Sequence, residues 1–177
     1  MTEPAPLPDS AGRALVAEAA RKSSVLWVEL PGRPHPYAAW HVWLDDAVCL
    51  VHGGIEQPLP GIDDVSHVTV NLRSKDKGGL LVRYTAAVNP LRPHDPLWGS
   101  AVTALHAARQ SPPDGEAQPE RWAEHSQITL LLLEELIEFP GHFADGARRA
   151  TPADTPETTL GPLPRVIGRR ARRNPKL

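Results

Sequence analysis

"HVTVNLRSKDKGGLLVRYTAAV", residues 67–88, decides the fold. Two runs rich in β-branched and apolar residues, 67–73 and 80–88, flank a polar, glycine-containing link, "SKDKGG". β-Branched side chains suit a pleated, half-buried surface, and glycine supplies the positive φ that closes a hairpin. The segment therefore reads as two antiparallel strands and a tight turn. Arg73, Ser74, Lys75 and Lys77 crowd that turn. They read in two ways: as a solvated turn that keeps a sheet edge soluble, or as a cationic tip that grips a phosphate, with Arg73 offering a bidentate fork.

The same signals recur upstream. "SSVLWVEL" (23–30) is β-branched and aromatic and is stopped by Pro31-Gly32, which makes it a strand. "PYAAWHVWLDDAVCLVHGG" (36–54) reads as a hairpin, with strands over about 37–44 and 47–52 joined at Asp45-Asp46. Alternation puts Ala39, His41 and Trp43 on one face of its first strand and Trp40, Val42 and Leu44 on the other. Rings on both faces predict a strand covered on both sides. "GGIEQPLPGIDD" (53–64) is a loop by its glycines and prolines.

Helices are few. Ser10 suits the N-cap of a first helix with an apolar stripe at Leu15, Val16, Ala19 and Ala20, after a loose proline-rich arm over 1–9. Asp95 and Pro96 suit N-cap and N1 of a helix running to about Arg109. Pro119 opens a short helix through "ERWAEH", and "SQITLLLLEELIEF" (126–139) is the last strand. The sum is a mainly β chain with minor α: a six-stranded antiparallel barrel or curved sheet over 23–139, an arm and helix over 1–22, and a disordered basic tail over 140–177.

Composition narrows the function classes. With 177 residues and 41% hydrophobic content, the chain can build one core of ordinary size. Its formal charge of −2 conceals six basic residues and no acid over 161–177, so the remainder carries −8. A solvated tail is the plain reading. Charge alone gives it a way to touch nucleic acid, but no aromatic residue interleaves with those arginines, so nucleic acid is not an expected partner. The single cysteine, Cys49, excludes an internal disulfide. The first ten residues have neither the basic nor the apolar region of a secretory signal. The longest apolar run, "ITLLLL", falls far short of the roughly 20 residues of a membrane span. A cytoplasmic protein with no membrane partner is expected. The histidines show no HExxH pattern, so no metal is expected, and the chain lacks GxSxG, P-loop and GxGxxG motifs.

Other candidate residues come from the hairpin over 36–54 and the loop after it. A glycine pair, Gly53-Gly54, following His52 and a buried strand implies a sharp bend or a close approach to the backbone. The amide of Gln57 can both donate to and accept from a ring edge. Trp40, His41 and Trp43 suit a stacking wall for a planar ligand, or equally a core and an interface.

The element order of helix, strand, hairpin, loop, hairpin, helix and strand resembles the flavin-binding split barrel of pyridoxamine 5′-phosphate oxidase-like proteins, from about Ser23 to about Leu133. The resemblance implies a homodimer that binds FMN, or the deazaflavin F420 as in some actinobacterial branches, between subunits, and an oxidoreductase acting on a small molecule. In many members a Lys or Arg shortly after the third strand grips the cofactor phosphate, whereas "HGGIEQPLPG" holds no basic residue. The expected cofactor set is therefore Arg73, Ser74 and Lys75 on the phosphate, His52, Gly53 and Gly54 where the backbone gives room, Gln57 at the ring edge, and Trp40 or His41 facing the ring. Two alternatives stand beside it: a cofactor-free split barrel that works as a binding or scaffold protein, and an adaptor that acts through its basic tail.

Overall fold

A computed structural model describes residues 10–75, 78–110 and 114–143. Lys77, the arm over 1–9 and the tail from 144 lie outside the described residues. The elements are α1 (Ser10–Lys22), β1 (Val25–Glu29), β2 (Tyr37–Trp40), β3 (Val42–Leu44), β4 (Ala47–His52), β5 (His67–Arg73), β6 (Leu80–Leu91), α2 (Trp98–Ala108), α3 (Gln118–His125) and β7 (Gln127–Glu138).

Seven strands form one antiparallel sheet in the order β2-β1-β5-β6-β7-β4-β3. Its two edges, β2 and β3, are consecutive in the chain and separated only by His41. A sheet whose opposite edges are joined by one residue has to curl until they meet, and this curl makes the half-barrel. The expected single strand over 37–44 is therefore two strands, and the expected six strands are seven. The first half of the segment, Tyr37–Trp40, pairs with β1 and the second half, Val42–Leu44, pairs with β4, so the ladder breaks between them at His41. The predicted alternation nevertheless runs through the break. Ala39 and Trp43 pack with the cluster inside the curl, while Trp40, Val42 and Leu44 pack with the cluster outside it.

The inner cluster gathers Leu26 and Val28, Val68, Val70 and Leu72, Val82, Tyr84 and Ala86, Leu131 and Leu133, and Val48 and Leu50, closed by Val16, Ala19 and Ala20 of α1. The strand buried on both faces is β4. Val48 and Leu50 face inward, and Ala47, Cys49 and Val51 lie with Ile128 and Leu130 against Ala101, Leu105 and Trp122 of α2 and α3. Burial pushes the Cys49 thiol up to about 12, so it acts as a small apolar side chain and not as a nucleophile.

Turn chemistry follows the sequence. Asp45 and Asp46 have φ of 47° and 58°, the left-handed pair that a two-residue hairpin of this hand needs. In the β5–β6 hairpin the Ser74 N–H donates to the Gly79 carbonyl (2.8 Å), the Gly78 N–H donates to the Ser74 carbonyl (2.9 Å), and Gly78 has φ of 65°. The boundary of α2 differs from expectation. The helix begins at Trp98, and the Asp95 carboxylate instead accepts the Arg92 N–H (2.7 Å). Asp95 caps the preceding turn because β6 runs on to Leu91 and leaves a tight corner there.

Candidate functional site

Three clefts adjoin at Ser24, in the short link between α1 and β1, and together form a groove. The first, about 350 Å³, is walled by Trp27, Arg73, Ser74 and Lys75. The second, about 450 Å³, lies between Arg21, His41, Trp43 and Lys75. The third, about 370 Å³, is bounded by Trp40, His41, Arg109 and Gln110. The start of β1, the β5–β6 hairpin tip and the β2–β3 seam converge here because the sheet curls. Hence Arg73, Ser74, Lys75, Trp40 and His41, read separately from the sequence, come to line one groove.

Each arm of the groove has an arginine against a tryptophan. The guanidinium carbon lies 5.8 Å from the ring centroid for Arg73 over Trp27, 5.8 Å for Arg21 over Trp43, and 5.2 Å for Arg109 over Trp40. Such stacking holds a guanidinium flat against an aromatic face while its N–H groups remain able to donate. Lys22 is held by Glu18 at 2.5 Å, but Arg73 and Lys75 form no ion pair among the described residues. Two cations without an ion pair among the described residues, beside a tryptophan, form a fitting cradle for a phosphate next to a planar ring.

His41 is buried at the seam. Its Nε2 lies 3.1 Å from the Ala20 carbonyl, which fixes the proton on Nε2 and leaves Nδ1 a buried acceptor without a hydrogen-bond partner. Burial lowers its pKa, against the opposing pull of the Ala20 and Ala39 carbonyls, so the ring is neutral at pH 7. It ties α1 to the seam and adds no charge to the groove.

The remaining expected residues lie behind this surface. Gln57 spends its amide on the backbone: Nε2 donates to the carbonyls of Trp40 and Val51 (2.9 Å each) and Oε1 accepts the Trp40 N–H (2.7 Å). It stands in for a strand next to Trp40, where the sheet has none. Gly53 and Gly54 have φ of 80° and 58°, and a Cβ on Gly54 would sit 2.6 Å from the His125 carbonyl oxygen. The close approach at Gly54 is therefore to the protein's own backbone. His52 is buried, 3.1 Å from Thr129 Oγ1 and 3.7 Å from Asp63 Oδ1; burial lowers its pKa while Asp63 opposes the shift. The loop after β4 is thus scaffolding for the groove.

Glu56, which sequence reasoning missed, is the hub of that scaffold. Its buried carboxylate accepts from Trp122 Nε1 (3.0 Å) and Arg121 Nη2 (2.9 Å) through Oε1, and Arg109 Nη2 stands 3.3 Å from Oε2. Nothing in "GGIEQP" separates a buried glutamate from a solvated one; its partners lie more than fifty residues further along the chain. A larger cleft of about 480 Å³ lies at the other end of β1, beneath the proline-rich turn after it, and contains none of the expected residues.

This architecture defines a class, the antiparallel split half-barrel. No family model matches the chain, and no curated protein matches it. Among solved structures it is similar to the heme storage protein HutZ of Vibrio cholerae, at 11% identity and a TM-score of 0.50, covering 72% of this chain and 96% of that one. It is also similar to a conserved hypothetical protein of Mycobacterium tuberculosis, at 14% identity and a TM-score of 0.53, covering 77% of this chain and 88% of that one. Among the described residues, no helix is long and apolar enough to cross a membrane.

Proposed function

We propose that this chain binds a planar anionic cofactor of flavin type, FMN or F420, in the groove, and carries out a redox step on a small molecule in the cytoplasm as a homodimer. The observation that carries this reading is the pairing of two cations, without an ion pair among the described residues, with an aromatic wall: Arg73 and Lys75 beside Trp27, at the mouth of a cleft of about 350 Å³. Phosphate recognition needs charge-assisted donors, and the loop after β4 supplies no basic side chain. The hairpin tip takes that role, with Arg73 gripping the phosphate and Lys75 adding charge. A bound flavin supplies the electron chemistry, while the protein binds and orients it and keeps water from its face. Trp27 covers the ring side of the phosphate, and neutral His41 keeps the seam closed.

The test is a spectral titration of the purified protein with FMN, with F420, and with hemin, since HutZ shares the fold and is a heme storage protein. Saturable binding of FMN or F420 that weakens in Arg73→Ala supports the reading. Binding of hemin alone replaces it, and binding of none of the three makes the chain a cofactor-free binding or scaffold protein.

A further inference from the structure

We propose that the Trp40–Arg109 arm of the groove is a second subsite, which takes a small aromatic molecule carrying a carboxylate or phosphate: the substrate, in the reading given above. The proposal rests on that reading only for the word substrate; the subsite itself follows from how Arg109 is held.

An arginine that serves only as a counter-ion spends its fork on its carboxylate. Arg109 does not. The hydrogen bonds to Glu56 come from Arg121 and Trp122, both to Oε1, while Oε2 accepts none and faces Arg109 at 3.3 Å. Nε of Arg109 is buried and likewise without a partner, so the donors it can turn to the cleft are its Nη groups. The side chain is 27% exposed, packed on the face of Trp40 and turned to a cleft of about 370 Å³. Arg121 is shared between Glu56 and Asp114, so Glu56 remains the counter-charge of Arg109, which it steers at 3.3 Å without taking a hydrogen bond from it.

The wall beside it is equally fixed. Gln57 binds both the N–H and the carbonyl of Trp40, so the ring that would stack on a ligand is anchored through its own backbone. The adjacent Glu56 and Gln57 thus act as positioning residues for a guanidinium and a ring. Neutral His41 adds no cation, so Arg109 alone among the described residues brings positive charge to this arm. Arg73 and Lys75 belong to the cleft on the far side of Ser24. One planar ring and one anionic group suit a space of this size, which lies at the small end of ligand pockets.

The probe is naphthalene-2-carboxylate, followed by ligand-observed NMR on the full chain, with acetate and 2-naphthol as partial ligands. The expected result is binding of the naphthoate, weaker binding of each partial ligand, and a loss of about tenfold or more in Arg109→Ala. Arg109→Lys, which keeps the charge without the fork, recovers only part of it. Arg73→Ala changes naphthoate affinity less than about twofold while weakening FMN, since only the latter uses charge at the hairpin tip. Equal naphthoate affinity in wild type and Arg109→Ala overturns the proposal, as does no binding to the wild type or an equal loss in Arg73→Ala. Failure of FMN to bind while the naphthoate still does sinks the cofactor reading and leaves the subsite intact.

Discussion

Gln57→Ala tests whether the loop after β4 is scaffold. The side chain makes three hydrogen bonds, to the Trp40 N–H, the Trp40 carbonyl and the Val51 carbonyl, at 2.7, 2.9 and 2.9 Å. A net value of about 1 kcal/mol for each gives a loss of about 3 kcal/mol, because truncation leaves all three backbone groups short of a partner in a half-buried site. For a domain of this size that is a fall in Tm of roughly 10 °C. Gln57→Glu should cost nearly as much at neutral pH, since a carboxylate accepts the Trp40 N–H but turns its second oxygen on two carbonyls. Urea unfolding followed by tryptophan fluorescence is the assay, with the slope m checked for constancy so that the midpoint reports stability. A loss under about 1 kcal/mol in Gln57→Ala would refute the reasoning, because it would mean that solvent replaces the amide at no cost.

Other expectations follow from the same contacts. Arg73→Ala should weaken FMN by about 10- to 100-fold, the value of one charge-assisted bond, when measured by fluorescence titration. Glu56→Gln leaves Arg109 and Arg121 facing a neutral group and should cost about 3 kcal/mol in urea unfolding, with Asp114 still holding Arg121. Gly53→Ala should cost about 1–2 kcal/mol for its left-handed backbone alone, while Gly54→Ala should cost more, because its Cβ would also strike the His125 carbonyl at 2.6 Å; equal melting temperatures would contradict this. The pKa values of His41 and His52 are lowered by burial, so the unfolded chain takes up protons first as the medium is acidified. Stability should therefore be full above about pH 6.5 and fall below it, by at most about 1.4 kcal/mol per pH unit for each histidine. Melting curves between pH 7 and 5 should flatten in His41→Gln.

Much of the fold was legible because its signals are local. The "SKDKGG" turn, the Asp45-Asp46 pair and the alternation through Trp40 to Leu44 each depend on neighbours in sequence, and each appears where expected. The seam at His41 was not legible, since nothing local says that one strand must serve two edges of a closing sheet. Likewise Asp95 carries the composition of a helix cap, yet the corner after β6 claims its carboxylate first. Of the expected site, the hairpin tip and the aromatic strand converge on one groove, because curling brings them together. Gln57, Gly54 and His52 turn inward for a common reason: β4 is buried on both faces, so the loop that leaves it meets protein and not solvent. The arginine partners of the tryptophans were invisible, because Trp27 meets Arg73 and Trp40 meets Arg109 only through long-range pairing.

The central claim is that the groove at Ser24 is a site for a planar anion. Its most direct measurement is the FMN titration of wild type beside Arg73→Ala, read by quenching of the flavin fluorescence. Saturable binding to the wild type and at least tenfold weaker binding to the variant is the predicted result. Identical curves for the two proteins, or no quenching in either, would contradict it.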